Sequence, residues 1–273
     1  MPSIETALRE ATKRLRRVSD RPRLEAEILM AYHLGCERIW LHAHGDRELE
    51  DLSGYEALAA RREKSEPIEY ITGRVSFYDT ELEVGEGVLI ARPETELLVD
   101  MAAEVIRRHG LRRMCEIGVG SGAVSIVLAR KFPRLQVVAT DISSTALGYA
   151  RRNVAAHGLR ERIETVQTDL MEGIDGDFDL VVSNPPYISA DYLLPHSVRY
   201  EPQNALVGGE KGDELLRRII DTCDERGIAH LVCEMGYDQR ASIAGYCRDR
   251  GLPEPRFYKD LAGLDRGFYL RIR

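Results

Sequence analysis

Arg113-Met114-Cys115-Glu116-Ile117 runs into Gly118-Val119-Gly120-Ser121-Gly122, then Ala123-Val124-Ser125-Ile126-Val127-Leu128, and the chain returns as Gln136-Val137-Val138-Ala139-Thr140-Asp141. The first and last runs predict strands at 113–117 and 136–140 with a helix between them. Glycines at the first junction let the backbone turn tightly and come close to a ligand. Strand, glycine turn and helix in that order open an α/β domain with a nucleotide-type cofactor site.

Further candidate strands follow at 162–166, 178–183, 229–234, 255–259 and 267–272, with amphipathic helices expected between the first five strands. That alternation predicts a parallel sheet covered on both faces. The last two strands are joined by a loop around Lys259-Asp260-Leu261-Ala262-Gly263, too short for a crossover helix, so the terminal strand is expected to run antiparallel.

Toward the amino end, Arg92-Pro93-Glu94-Thr95-Glu96 reads as a helix start, with Pro93 in the first turn and acids facing the positive end of the helix. Residues 66–91 carry aromatic and β-branched residues separated by glycines, which predicts a β-hairpin connector. Before them, apolar residues such as Leu24, Ile28, Leu29 and Tyr32 recur at helical spacing. The expected organisation is a helical domain over 1–65, the connector 66–91 and an α/β domain over 92–273.

The chain has 273 residues, 44% of them hydrophobic, enough for one large domain and a small one. Its formal net charge of −7 argues against the broad basic surface that non-specific nucleic-acid binding needs. The five cysteines (Cys36, Cys115, Cys223, Cys233 and Cys247) show no metal-ligand spacing and read as reduced, buried thiols; no metal is expected. The charged opening MPSIETALREATKRLRR is neither a signal peptide nor a membrane span, so a soluble, cytoplasmic protein is expected.

The glycine turn on its own leaves two cofactors open, because Gly118 to Ala123 also fits the dinucleotide fingerprint. Glu116 favours S-adenosylmethionine: a carboxylate there balances a cationic amino-acid moiety and repels a pyrophosphate. Asp141 is placed to accept hydrogen bonds from a ribose diol, or else to cap the following helix. Asp169 and Leu170 could meet an adenine, or Asp169 could simply cap a loop.

Phe178 to Ser183 is a buried-strand pattern that ends in Asn184-Pro185-Pro186-Tyr187. In open parallel sheets ligands bind at such carboxyl ends. An amide nitrogen is a poor nucleophile because its lone pair is delocalised, so a methylating site must hold the geometry that aims that pair at the methyl group. The Asn184 side-chain oxygen and the Pro185 carbonyl can accept the two N–H hydrogens, the prolines stiffen the backbone, and Tyr187 can stack on a flat acceptor. A turn with an exposed aromatic is the alternative, disfavoured by its place four strands into the same domain.

Together these segments resemble the peptide chain release factor glutamine N5-methyltransferases over roughly residues 68–273. The likeness also includes Tyr70-Ile71-Thr72-Gly73, Arg92 to Glu96, Glu201-Pro202-Gln203-Asn204-Ala205-Leu206 with Gly208-Gly209, Glu234-Met235-Gly236 with Gln239, and Lys259 to Gly263. It implies a Rossmann-like, seven-stranded class I S-adenosylmethionine-dependent methyltransferase domain behind a small helical substrate-docking domain. The implied acceptor is the glutamine of the Gly-Gly-Gln loop of class I release factors, with S-adenosylhomocysteine as product and an effect on translation termination.

Carried over, Glu116, Gly118, Val119, Gly120, Ser121, Gly122, Asp141, Asp169, Leu170 and Asn184 would hold the cofactor. Asn184, Pro185, Pro186 and Tyr187 would hold the glutamine, with Asn184, Pro185 and Tyr187 serving catalysis. Glu116, Ile117, Val119 and Ala91 depart from the pattern common in the family; Val119 removes a hydroxyl beside the cofactor. Arg92 and Glu201 stay outside the expected site, because each also reads as a structural ion-pair partner. A glutamine methyltransferase of a ribosomal protein would share these motifs, and an adenine or cytosine amino-methyltransferase would share the tetrapeptide but need to engage phosphates.

Overall fold

Ile4, Ala7, Leu8, Ala11 and Leu15 fall on one helical face and all are buried on α1 (Ile4–Leu15), whose start is capped by Ser3 accepting from the Thr6 amide. In the computed structural model, which describes residues 1–273, α2 (Pro22–Leu34), α3 (Arg38–Ala43), α4 (Ser53–Glu63) and α5 (Ile68–Thr72) share one apolar core with α1. The first unit is Met1–Arg74 together with Leu194–Tyr200, and the Tyr200 hydroxyl donates to the Lys64 carbonyl at 2.8 Å. The expected extended connector therefore starts later than residue 66. Ile71 is buried in the helical core, which draws residues 68–72 into a helix.

The second unit, Val75–Leu193 with Glu201–Arg273, holds the larger core. A hairpin of β1 (Arg74–Phe77) and β2 (Thr80–Glu83) precedes α6 (Thr95–His109), so Pro93 lies just before the helix. There follow β3 (Arg113–Ile117), α7 (Ala123–Lys131), β4 (Gln136–Asp141), α8 (Ser144–Ala156), β5 (Ile163–Gln167) and β6 (Leu180–Ser183). After a short parallel pair, β7 (Ile188–Ser189) and β8 (Val207–Gly209), come α9 (Glu214–Glu225), β9 (His230–Glu234), α10 (Arg240–Asp249), β10 (Arg256–Lys259) and β11 (Asp265–Arg271).

Seven strands form one sheet in the order β10-β11-β9-β6-β3-β4-β5, with β11 antiparallel to both neighbours. The central strands β6 and β9 are buried at every residue, as strands covered on both faces must be. One expected helix is missing: between β5 and β6 there are only turns, where Gly173 and Gly176 both take left-handed backbone conformations. No helix is long and apolar enough to cross a membrane. Four of the cysteines are buried, and Cys36 is partly exposed.

Candidate active site

Ile117 pairs in register with Thr140 on one side and with Ser183 on the other. The next residues, Gly118, Asp141 and Asn184, therefore lie side by side at the carboxyl edge of the sheet, Asp141 as the last residue of β4. They do so where the strand order turns back, β4 and β5 lying to one side of β3 and β6 to the other, the place where open α/β sheets bind ligands. A cavity of about 530 Å³ opens there, within the size range of small-molecule sites.

The glycine turn closes on β4: the Gly118 and Val119 amides donate to the Thr140 carbonyl at 2.8 and 2.9 Å. Gly118 and Gly120 sit at φ +74° and +55°, which other residues rarely adopt, and both line the cavity. Asp141 is fixed by two backbone donors, Gly120 to Oδ2 at 3.0 Å and Ser143 to Oδ1 at 2.9 Å. Each oxygen keeps a lone pair for a ligand hydroxyl. Burial pushes its carboxyl up, while these amides favour the ionised form.

Of the other residues expected at the cofactor, Leu170 lines the cavity at φ +50°, held there by Thr140 Oγ1 donating to its carbonyl at 2.8 Å. Asp169 also lines it, but its Oδ2 accepts from Arg218 at 2.7 Å. Glu116, Val119, Ser121 and Gly122 are not on the cavity wall. Glu116 is 2% exposed, takes a hydrogen bond from the Ser125 hydroxyl, and is pushed up to about 8 by burial. Ser121 is buried and its carbonyl accepts from Asn153 Nδ2 at 2.8 Å, so it anchors the turn from behind.

Ile142 lines the cavity and was not singled out from the sequence. It is 53% exposed, and its signal in the sequence is an apolar residue directly after a strand-ending acid. Among the lining side chains only Arg218 is basic, and it is paired; Asp141, Asp169 and Glu214 are acidic. This set suits a ligand with positive charge and hydroxyls and opposes a pyrophosphate.

Asn184 and Pro186 line the cavity, whereas Pro185 is buried and Tyr187 packs against the core of the unit. The segments that the sequence marked separately converge on this tetrapeptide. Asn184 Nδ2 donates to Thr95 Oγ1 at 3.0 Å, and Tyr187 Oη donates to Glu234 Oε1 at 3.0 Å. Gln239 Nε2 donates to the Tyr187 carbonyl at 2.9 Å. A Cβ on Gly208 would lie 2.3 Å from the Pro186 oxygen, which is why β8 can approach only as glycine.

Burial pushes the Tyr187 phenol up, and pushes the Glu234 carboxyl up to about 7 against the hydroxyls of Thr95 and Tyr187. Arg92 and Glu201 pair with each other, and Glu201 Oε2 also accepts from the Ile90 amide at 3.0 Å. They brace the loop before α6.

Two family models match the chain, "PrmC N-terminal domain" over residues 6–73 and "Methyltransferase small domain" over residues 93–195. The "Release factor glutamine methyltransferase" of Xylella fastidiosa (strain 9a5c) is 37% identical over 273 residues, covering 97% of each chain. The protein of that name from Rhodopirellula baltica is 38% identical over 266 residues, covering 91% of this chain and 88% of its own. Among solved structures, the N-terminal domain of human METTL16 in complex with SAH superposes with a TM-score of 0.51 at 17% identity, covering 84% of this chain and 86% of that one. That likeness is one of fold.

Proposed function

The chain belongs to the release factor glutamine methyltransferase family, and on that premise we propose that it methylates the side-chain amide nitrogen (N5) of the glutamine in the Gly-Gly-Gln loop of class I release factors. S-adenosylmethionine is the methyl donor, S-adenosylhomocysteine the product, and translation termination the process modulated. The observation that carries the reading is the alignment of Gly118, Asp141 and Asn184 at one edge of the sheet, around one cavity.

The residues present fit S-adenosylmethionine. Asp141 has an open lone pair on each oxygen for the ribose diol, Ile142 and Leu170 offer apolar surface for the adenine, and Gly118 and Gly120 leave room for the amino-acid portion. When bound, S-adenosylmethionine supplies an electrophilic methyl carbon on a sulfonium.

Asn184 Oδ1, at the cavity wall, accepts one N–H hydrogen of the acceptor amide, and the carbonyl of Pro185, a residue buried off that wall, is the proposed acceptor of the other, which turns the nitrogen lone pair toward the methyl carbon. As nitrogen gains the methyl group it becomes acidic, and its proton leaves through one of these oxygens to water. Positioning of this kind is worth roughly 7–11 kcal/mol. The helical first unit is the proposed docking domain that selects whose glutamine enters.

The test is transfer of labelled methyl from S-adenosylmethionine to a release factor, a ribosomal protein and nucleic acid in parallel. Label in the release factor is expected. Label in either of the others alone would overturn the assignment.

A further inference from the structure

We propose that Thr95 and Glu234 are positioning residues for the methyl transfer, fixing which end of the Asn184 side-chain amide faces the acceptor. The proposal rests on the methyltransferase reading above.

A side-chain amide has a donor end and an acceptor end of nearly the same shape, so something must choose between them. For methylation of an amide the choice is decisive. Oδ1 toward the cavity accepts a hydrogen from the substrate nitrogen; Nδ2 in its place would set a donor against a donor.

The choice is made behind Asn184. Ser183 pairs in register with Cys233, so Asn184 and Glu234 are the next residues of adjacent strands at the same edge of the sheet. Glu234 is 2% exposed and Thr95 3%. Burial keeps Glu234 protonated up to about pH 7; above that the ionised carboxylate only accepts hydrogen bonds. Tyr187 Oη donates to Oε1 at 3.0 Å, while Oε2 is sealed from solvent without a well-formed bond, an acceptor open to the Thr95 proton. The Thr95 hydroxyl acts with that of Tyr187 in favouring the ionised carboxylate.

A threonine hydroxyl has one proton. Committed to Glu234, it leaves only lone pairs for Asn184, and Asn184 meets them with Nδ2 at 3.0 Å. Oδ1 is then the free end. Glu234 thus holds both ends of the tetrapeptide, Tyr187 directly and Asn184 through Thr95.

The experiment is a double-mutant cycle on kcat, run with whichever acceptor takes label from the wild-type protein, so that a wrong acceptor and a wrong positioning role are told apart. Thr95→Val is expected to lower kcat about tenfold while leaving S-adenosylmethionine affinity within about twofold, and Thr95→Ser to restore most of the rate. In an Asn184→Ala background, Thr95→Val should change kcat less than about twofold, because the group it orients is gone. Glu234→Gln, whose amide can donate to Thr95 and compete with Asn184, should also lower kcat.

Thr95→Ala replaces the valine variant should that one not fold. Equal losses from Thr95→Val in both backgrounds, or an unchanged kcat in the wild-type background, would overturn the proposal.

Discussion

Replacing Gly208 by alanine should displace the acceptor tetrapeptide without touching any of its side chains. The added Cβ would sit 2.3 Å from the Pro186 oxygen and 2.6 Å from the Gly212 oxygen, both of them backbone atoms that cannot rotate away. Ordinary contact begins at 3.4 Å, so Pro186 and its neighbours must retreat by about 1 Å. A misplacement of about that size costs on the order of a hundredfold in rate when catalysis depends on orientation. Single-turnover methyl transfer to the release factor, with folding checked by thermal denaturation, measures it. A folded Gly208→Ala variant turning over within about twofold of wild type would refute the claim that tetrapeptide geometry sets the rate.

Asn184→Ala should remove most turnover with little change in cofactor affinity, whereas Asp141→Ala should weaken cofactor binding about 10- to 100-fold, the range for a lost hydrogen bond to a charged group; calorimetry and initial rates separate the two, and swapped effects would reverse the assigned roles. Stability should fall as pH rises because of Glu116, which burial pushes from an ordinary 4.5 up to about 8. The folded state keeps a proton that the unfolded chain releases, so this contribution is full below the unfolded value and is lost as pH rises through about 8, with a slope of at most about 1.4 kcal/mol per pH unit. Glu234, pushed up to about 7, adds to the slope in the same sense, its contribution being lost as pH rises through about 7. Glu116→Gln should remove the Glu116 share in urea titrations from acid to alkaline pH; an unaltered slope would show that Glu116 is ionised when folded.

Much of the fold was legible because its signals are local. The β3 and β4 runs carry short apolar stretches, Met114-Cys115 and Val137-Val138-Ala139, the glycines mark the turn, and the short loop over residues 260–264 cannot carry a crossover, in keeping with the antiparallel last strand. The missing helix between β5 and β6 and the helical turn at Ile68–Thr72 went unread because tertiary packing and glycine conformation decided them. In the site, Asp141 and Asn184 could be picked out from strand ends alone.

Which way a side chain points within the glycine turn could not. Glu116 alternates to the face covered by α7, where Ser125 meets it, and the turn is anchored from behind by Asn153 donating to the Ser121 carbonyl. The roles of Thr95, Glu234 and Gln239 were equally hidden, since strand register and long-range hydrogen bonds bring them behind the tetrapeptide from segments far apart in sequence.

The most direct test of the central claim is tandem mass spectrometry of a class I release factor after incubation with the protein and S-adenosylmethionine. One methyl group is expected on the side-chain amide nitrogen of the Gly-Gly-Gln glutamine, formed far more slowly when the Asn184→Ala variant is used. Methyl on any other residue of the release factor, or an undiminished rate with the Asn184→Ala variant, would contradict this assignment.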